Sequence, residues 1–183
     1  MIKIFPPVAE AQISSLKIFD RLVISGPILA GRDAALPRLV RLVAENRLAE
    51  TGLDLRGAVI FHTAVSPAGI GPTSSNKEEI ENSIPALSRA GVKIHLGKGS
   101  LHPETVASLC EHGAIFAVTP PVSALLTSKI RARRVAAFPE EGMEALYLLE
   151  VAELPAIVAA AHGQSVFNLN GAKNPAPKGG ERQ

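Results

Sequence analysis

Three cationic side chains stand beside glycines or at helix starts. They are Arg32 in Ala30-Gly31-Arg32-Asp33, Lys77 in Gly71-Pro72-Thr73-Ser74-Ser75-Asn76-Lys77, and Lys98 in Gly97-Lys98-Gly99. Glycine lets a backbone approach a ligand closely, and a helix N-terminus adds free N–H groups and partial positive charge. If the three loops converge they make an anion site. Arg32 would grip a carboxylate as a planar fork, with Lys77 and Lys98 as point charges, a set that suits a small dicarboxylate. Taken singly, each is also what a solvated charge at a turn or helix end looks like. Thr73, Ser74 and Ser75 add three hydroxyls in a row. A hydroxyl there could take a proton beside a cation, although capping and turn chemistry is the commoner use.

Other constellations fall away. Gly69-Ile70-Gly71-Pro72-Thr73-Ser74 begins like a dinucleotide fingerprint, but Ser74 replaces the third glycine and Pro72 deletes an N–H. Gly91 and Gly97 bracket the wrong residues for a nucleotide-phosphate loop, and Gly99 stands where that loop needs a hydroxyl. His62 ends a strand just before a glycine-rich loop, which makes it the histidine best placed for a site role, with a structural role as the alternative. Cys110 falls on an apolar helical stripe and reads as core.

Composition narrows the classes further. The 183 residues make about one domain. Lys+Arg 19 against Asp+Glu 17, with 4% aromatics, argues against a nucleic-acid binder. One cysteine excludes an internal disulfide, a cysteine-rich metal cage, and an iron–sulfur cluster held by several thiolates of this chain. No apolar run reaches the ~18 residues of a membrane span, and no secretory signal is visible. The expectation is a reduced, cytoplasmic protein.

The elements that must position these residues alternate. Apolar runs at Ile2 to Phe5, Leu22 to Ser25, Ile28 to Ala30, Ala58 to Ala64, Val92 to Leu96 and Ala114 to Val118 predict strands, as do Val135 to Phe138, Leu146 to Val151, Ile157 to Ala161 and Val166 to Leu169. Leu36, Leu39, Val40, Val43 and Ala44 have helical spacing, with Asp33 as a cap or first-turn acid. A loop is expected over Val65 to Ser75. Ser75 and Glu78 then have capping-box spacing before a helix to Arg89. Further helices are expected over His102 to His112 and Val122 to Lys129. Strands at both ends and alternation in the middle predict a mixed α/β domain over residues 1–170. Residues 171–183 carry no large apolar side chain and read as a disordered tail.

In this order, the loops resemble the β subunit, or C-terminal β domain, of class I iron–sulfur fumarate hydratases and L(+)-tartrate dehydratases. The resemblance rests on Ile24-Ser25-Gly26-Pro27-Ile28-Leu29-Ala30-Gly31-Arg32-Asp33-Ala34-Ala35, the Gly71 to Glu79 segment, Gly97-Lys98-Gly99, Gly142-Met143-Glu144-Ala145, and Glu153-Leu154-Pro155-Ala156. It implies a swivelling β/β/α domain, with mixed sheets and flanking helices, like the mobile domain of aconitases. It implies that an α subunit holds a 4Fe–4S cluster whose open iron acts as a Lewis acid on the substrate, in a heteromer of two α and two β subunits. On this chain Arg32, Lys77 and Lys98 would bind a small dicarboxylate, and Thr73 would be the catalytic hydroxyl; no metal or cofactor would be held here. The chain departs from the family pattern at Leu36, Lys77 and Glu79, where the family has histidine, arginine and aspartate. The alternative is therefore a diverged, non-catalytic anion-binding or interaction domain on the same fold.

Overall fold

The computed structural model describes residues 1–73 and 77–168, the side chains of 72–80 aside. In chain order the elements are β1 (Ile2–Ile4), α1 (Glu10–Ser15), β2 (Arg21–Gly31), α2 (Ala35–Ala44), β3 (Val59–Ser66), β4 (Gly69–Thr73) and α3 (Lys77–Arg89). There follow β5 (Ile94–Gly97), α4 (Pro103–Glu111), β6 (Ile115–Val118), α5 (Ser123–Ser128), β7 (Ile130–Ala137), β8 (Leu146–Ala161) and β9 (Gln164–Ser165). A 3-10 turn, Pro139–Glu144, joins β7 to β8. The predicted mixed α/β architecture is what the strands and helices build.

The central strands carry β-branched and aliphatic residues at successive positions, so both of their faces are buried. β3 is buried at every position from Val59 to Val65. Such strands need cover on both sides, and the pairing supplies it. β2, β3, β5 and β6 run parallel in that order, and β8 pairs antiparallel with both β6 and β2. The strands therefore close into a ring. Ile24, Ile28, Phe61, Leu96, Ala117 and Leu149 belong to one buried cluster, and the alternation of each strand turns this set to the inside. The other face meets the helices. Leu36 and Leu39 of α2 and Leu87 of α3 pack with Leu29 and Ile60, while α4 sends Val106 and Leu109 against Phe116. Burying one such side chain stabilises by roughly 1.5–3 kcal/mol. Ala44, expected on the same helical stripe, is exposed where α2 runs out into solvent.

β8 is one strand of 16 residues where the sequence predicts two. The apparent break is a bulge. The β2–β8 register shifts between Ile24 and Gly26, Gly26 has φ +114°, and Glu153 opposite has φ 56°. The Glu153 N–H donates to Ser25 Oγ at 2.9 Å, so the kinked backbone keeps a partner. The bend lets one half of β8 pair with β7 and the other half with β6.

Four further expectations change. The predicted loop from Val65 is a hairpin: β3 continues to Ser66 and returns as β4. β7 starts five residues before Val135, at Ile130, because an edge strand needs no apolar alternation; its middle is exposed. In place of a strand from Val166, β9 is only Gln164–Ser165, and Leu169 lies outside the described residues. Cys110 is exposed, on the outer side of α4, and is not core. Ser75 of the expected capping box and the expected tail, 171–183, also lie outside the described residues.

Candidate functional site

The parallel strands share one direction, so their C-terminal ends share one edge. Gly31 pairs with His62, Phe61 with Leu96, and Gly97 with Val118. Arg32, Thr63, Lys98 and Thr119 are the next residues along, so the backbone leaves the ring at one level. Thr63 pairs in turn with Thr73, the last residue of β4, and Lys77 opens α3 just beyond. All four sequence-derived site residues thus have their backbone at the edge where strands turn into helices. The side chains of Thr73 and Lys77 lie outside the described residues.

Arg32 is half-buried and engaged. Its Nε and Nη2 donate to Glu144 Oε1 at 2.8 and 2.5 Å. This hydrogen-bonded pairing holds the guanidinium pKa above its ordinary value, against the opposing pull of burial. Asp33 does not cap α2, as the sequence suggested. Ala34 occupies the cap position without a side-chain bond, and Asp33 Oδ2 sits 3.9 Å from Arg32 Nε. Asp33 Oδ1 and Glu144 Oε2 are buried without a hydrogen-bond partner among the described residues. The mouth therefore offers acceptors beside its cations. Glu144 is the site residue that sequence reasoning missed. The Gly-Met-Glu-Ala segment carried the resemblance, but its register to Arg32 depends on how β8 enters the ring.

Lys98 differs. It is exposed and makes no ion pair or hydrogen bond among the described residues. It lines a cavity of about 250 Å³ with Gly71, Thr119, Pro121 and Leu126. The β3–β4 hairpin beside that cavity is tied down at its tip. Ile70 N donates to Thr127 Oγ1 at 3.1 Å, and Arg133 donates to the Ser66 and Pro67 carbonyls. Gly69 (φ +126°) is required there, because a Cβ would fall 2.4 Å from Thr127 Oγ1.

His62 lies behind this edge, fully buried. Its Nε2 is 3.1 Å from His95 Nδ1, and His95 Nε2 is 2.9 Å from Ser88 Oγ. Desolvation pushes the His62 pKa down to about 4. It pushes His95 well below the usual range too, with the neighbouring His62 adding to the effect. The pair is neutral at pH 7 and buried, its rings tilted by 34° with centroids 5.4 Å apart.

A sequence profile for the Fumarase C-terminus matches residues 1–170. The chain belongs to that family. It is 27% identical to the putative L(+)-tartrate dehydratase subunit beta of Methanocaldococcus jannaschii, over 89% of each chain. It is 25% identical to the L(+)-tartrate dehydratase subunit beta of Escherichia coli, over 90% of this chain and 85% of that one. It is 28% identical to the anaerobic class I fumarate hydratase of E. coli, over 81% of this chain but 28% of the relative. The chain therefore spans about a quarter of the length of such a fumarate hydratase. Its family is one of hydro-lyases. Leu36 is 2% exposed within the cluster under α2, so the position serves packing here. An iron–sulfur cluster does not fit this chain's own donors: it has one cysteine, and among the described residues no group of three or more His, Cys, Asp or Glu is placed to hold a metal ion. No helix among the described residues is long and apolar enough to cross a membrane.

Proposed function

We propose that this chain is the β subunit of a hydro-lyase acting on a small dicarboxylate or hydroxy-dicarboxylate, of the fumarate hydratase and tartrate dehydratase type. Residues 1–170 act as one swivelling domain that closes over a cluster carried by a separate α subunit in the cytoplasm. The observation that carries the reading is the shared edge. Arg32 and Lys98 follow the C-terminal ends of two parallel strands, and the segment with Thr73 and Lys77 returns to the same edge through β4, in a family whose relatives are hydro-lyases.

The roles follow from chemistry. Arg32, with its planar fork, binds one carboxylate, and Lys77 and Lys98 neutralise the other. Two carboxylates held at both ends fix the carbon between them, which is the orientation effect that converts a collision into a positioned reaction. The Thr73 hydroxyl exchanges the proton at that carbon. The unpartnered oxygens of Asp33 and Glu144 accept from a substrate hydroxyl, which a purely anionic ligand would not supply. Thr119 and the prolines beside Lys98 wall off water from the second carboxylate.

A non-catalytic anion-binding or interaction domain on the same fold is the second reading, favoured by one observation: the Arg32 fork is closed by Glu144 and not open to a substrate carboxylate. Anaerobic co-expression with a cysteine-containing α chain separates the two. The expected result is fumarate hydration or tartrate dehydration by the complex and none by this chain alone. Dicarboxylate binding without turnover in a cluster-loaded complex overturns the catalytic reading.

A further inference from the structure

At the opposite end of the parallel strands a cleft of about 580 Å³ opens between residues 7–10, the Arg56-Gly57 turn, the end of α3 and the segment leading into β5. Three cations line it, Arg56, Arg89 and Lys93, with Glu10 the one acid on the lining; Arg56 is paired with Asp54 at 2.6 Å, so Arg89 and Lys93 carry the site's charge. Lys93 is the unusual member, at 9% exposure. Its Nζ donates to His112 O at 3.1 Å and lies 3.3 Å from Glu10 Oε1. An ammonium has three donors, and this one's only counter-charge among the described residues is a side chain that is 84% exposed. A buried cation balanced only by a solvated partner is costly. Arg89 is exposed and makes no ion pair among the described residues.

The walls are fixed before any ligand arrives. Val8 N donates to Gly57 O at 2.7 Å, Gly57 N to Gly91 O at 2.9 Å, and Lys93 N to Ala58 O at 2.9 Å. Ser88 also lines the cleft, and its hydroxyl ends the His62–His95–Ser88 chain. The direction of that chain follows from its far end. His62 Nδ1 is buried with no partner, and leaving a lone pair unpaired there costs less than leaving an N–H unpaired. His62 Nε2–H then donates to His95 Nδ1, and His95 Nε2–H donates to Ser88 Oγ. The Ser88 O–H, on a residue 2% exposed in the cleft wall, is thereby left without an acceptor among the described residues.

We propose that this cleft is a second anion-binding site, remote from the dicarboxylate mouth, taking a compact oxyanion of two or more negative charges between Lys93 and Arg89 with Ser88 donating from the floor. It stands independently of the hydro-lyase reading. Inorganic phosphate and citrate are the probes. They are titrated into the full chain while the Arg side-chain Nε–H and histidine ring ¹⁵N resonances are followed. The Arg89 and His95 signals should move together on one saturable curve. Arg89→Ala, an exposed substitution that leaves the fold intact, should weaken that curve about tenfold or more, as loss of a charge-assisted hydrogen bond does. Arg21→Ala, an exposed cation elsewhere, should not. Lys93→Met should abolish it. A static His95 signal, or equal weakening by Arg21→Ala and Arg89→Ala, overturns the proposal and leaves only diffuse surface charge.

Discussion

The two ends of the parallel strands treat positive charge in opposite ways. At the C-terminal end Arg32 is half-buried and its fork is closed by Glu144, while Lys98 stands open to solvent. At the N-terminal end the lysine is buried and the arginine exposed. Between them lie His62 and His95, buried, neutral and bonded to each other. The difference teaches that the ring holds two cation-bearing edges apart with an apolar interior. A change at one end should not reach the other except through the histidine chain.

The largest expected effect is at the first end. Thr73→Val in the reconstituted enzyme should lower kcat by about 10²–10⁴-fold with little change in KM, the range for loss of a proton-transfer group. A raised KM with unchanged kcat would make Thr73 a binding residue. The core between the ends predicts a pH dependence. The folded-state pKa of His62 is about 4 against an ordinary 6.5, so between those values the unfolded chain takes up a proton that the folded chain refuses. Stability is full above pH 6.5 and falls as pH drops toward 4, by about 1.4 kcal/mol per pH unit for each such histidine. Urea unfolding across that window reads the slope, and a flat profile would mean the core is wetter than described.

Gly69→Ala should cost about 1–3 kcal/mol through its positive φ and the contact with Thr127. Denaturant melts would show it, together with lower activity because β4 carries Thr73. Glu144→Gln sharpens the contrast most finely. Freeing the Arg32 fork should tighten dicarboxylate binding to the isolated chain a few-fold, measured by calorimetry. Weaker binding would show that Glu144 aims the guanidinium rather than competing for it.

The local elements were legible because their signals are local. Leu36 and Leu39 have helical spacing and are buried, and the apolar runs of β3, β5 and β6 are strands. Ring closure was not legible, because it depends on the register of β8 against β2 and β6, residues far apart in sequence. The bulge at Glu153 disguised one strand as two. β7 was half hidden because Arg131, Arg133 and Arg134 suit an exposed edge and leave no apolar pattern. The cations of the mouth could be named from glycine and helix-start context. Their counter-charge Glu144 could not, since nothing local ties it to Arg32. Cys110 was misread because one position on a short helix's stripe does not say which turn the neighbours cover.

The central claim is that Arg32 and Lys98 together hold the substrate's carboxylates. Steady-state kinetics of the reconstituted complex with Arg32→Ala, Lys98→Met and the double variant tests it most directly. The account predicts a fall in kcat/KM of about 100-fold for Arg32→Ala and about tenfold for Lys98→Met, with a double-variant loss that departs from the product of the two. Wild-type kcat/KM in Arg32→Ala would contradict it.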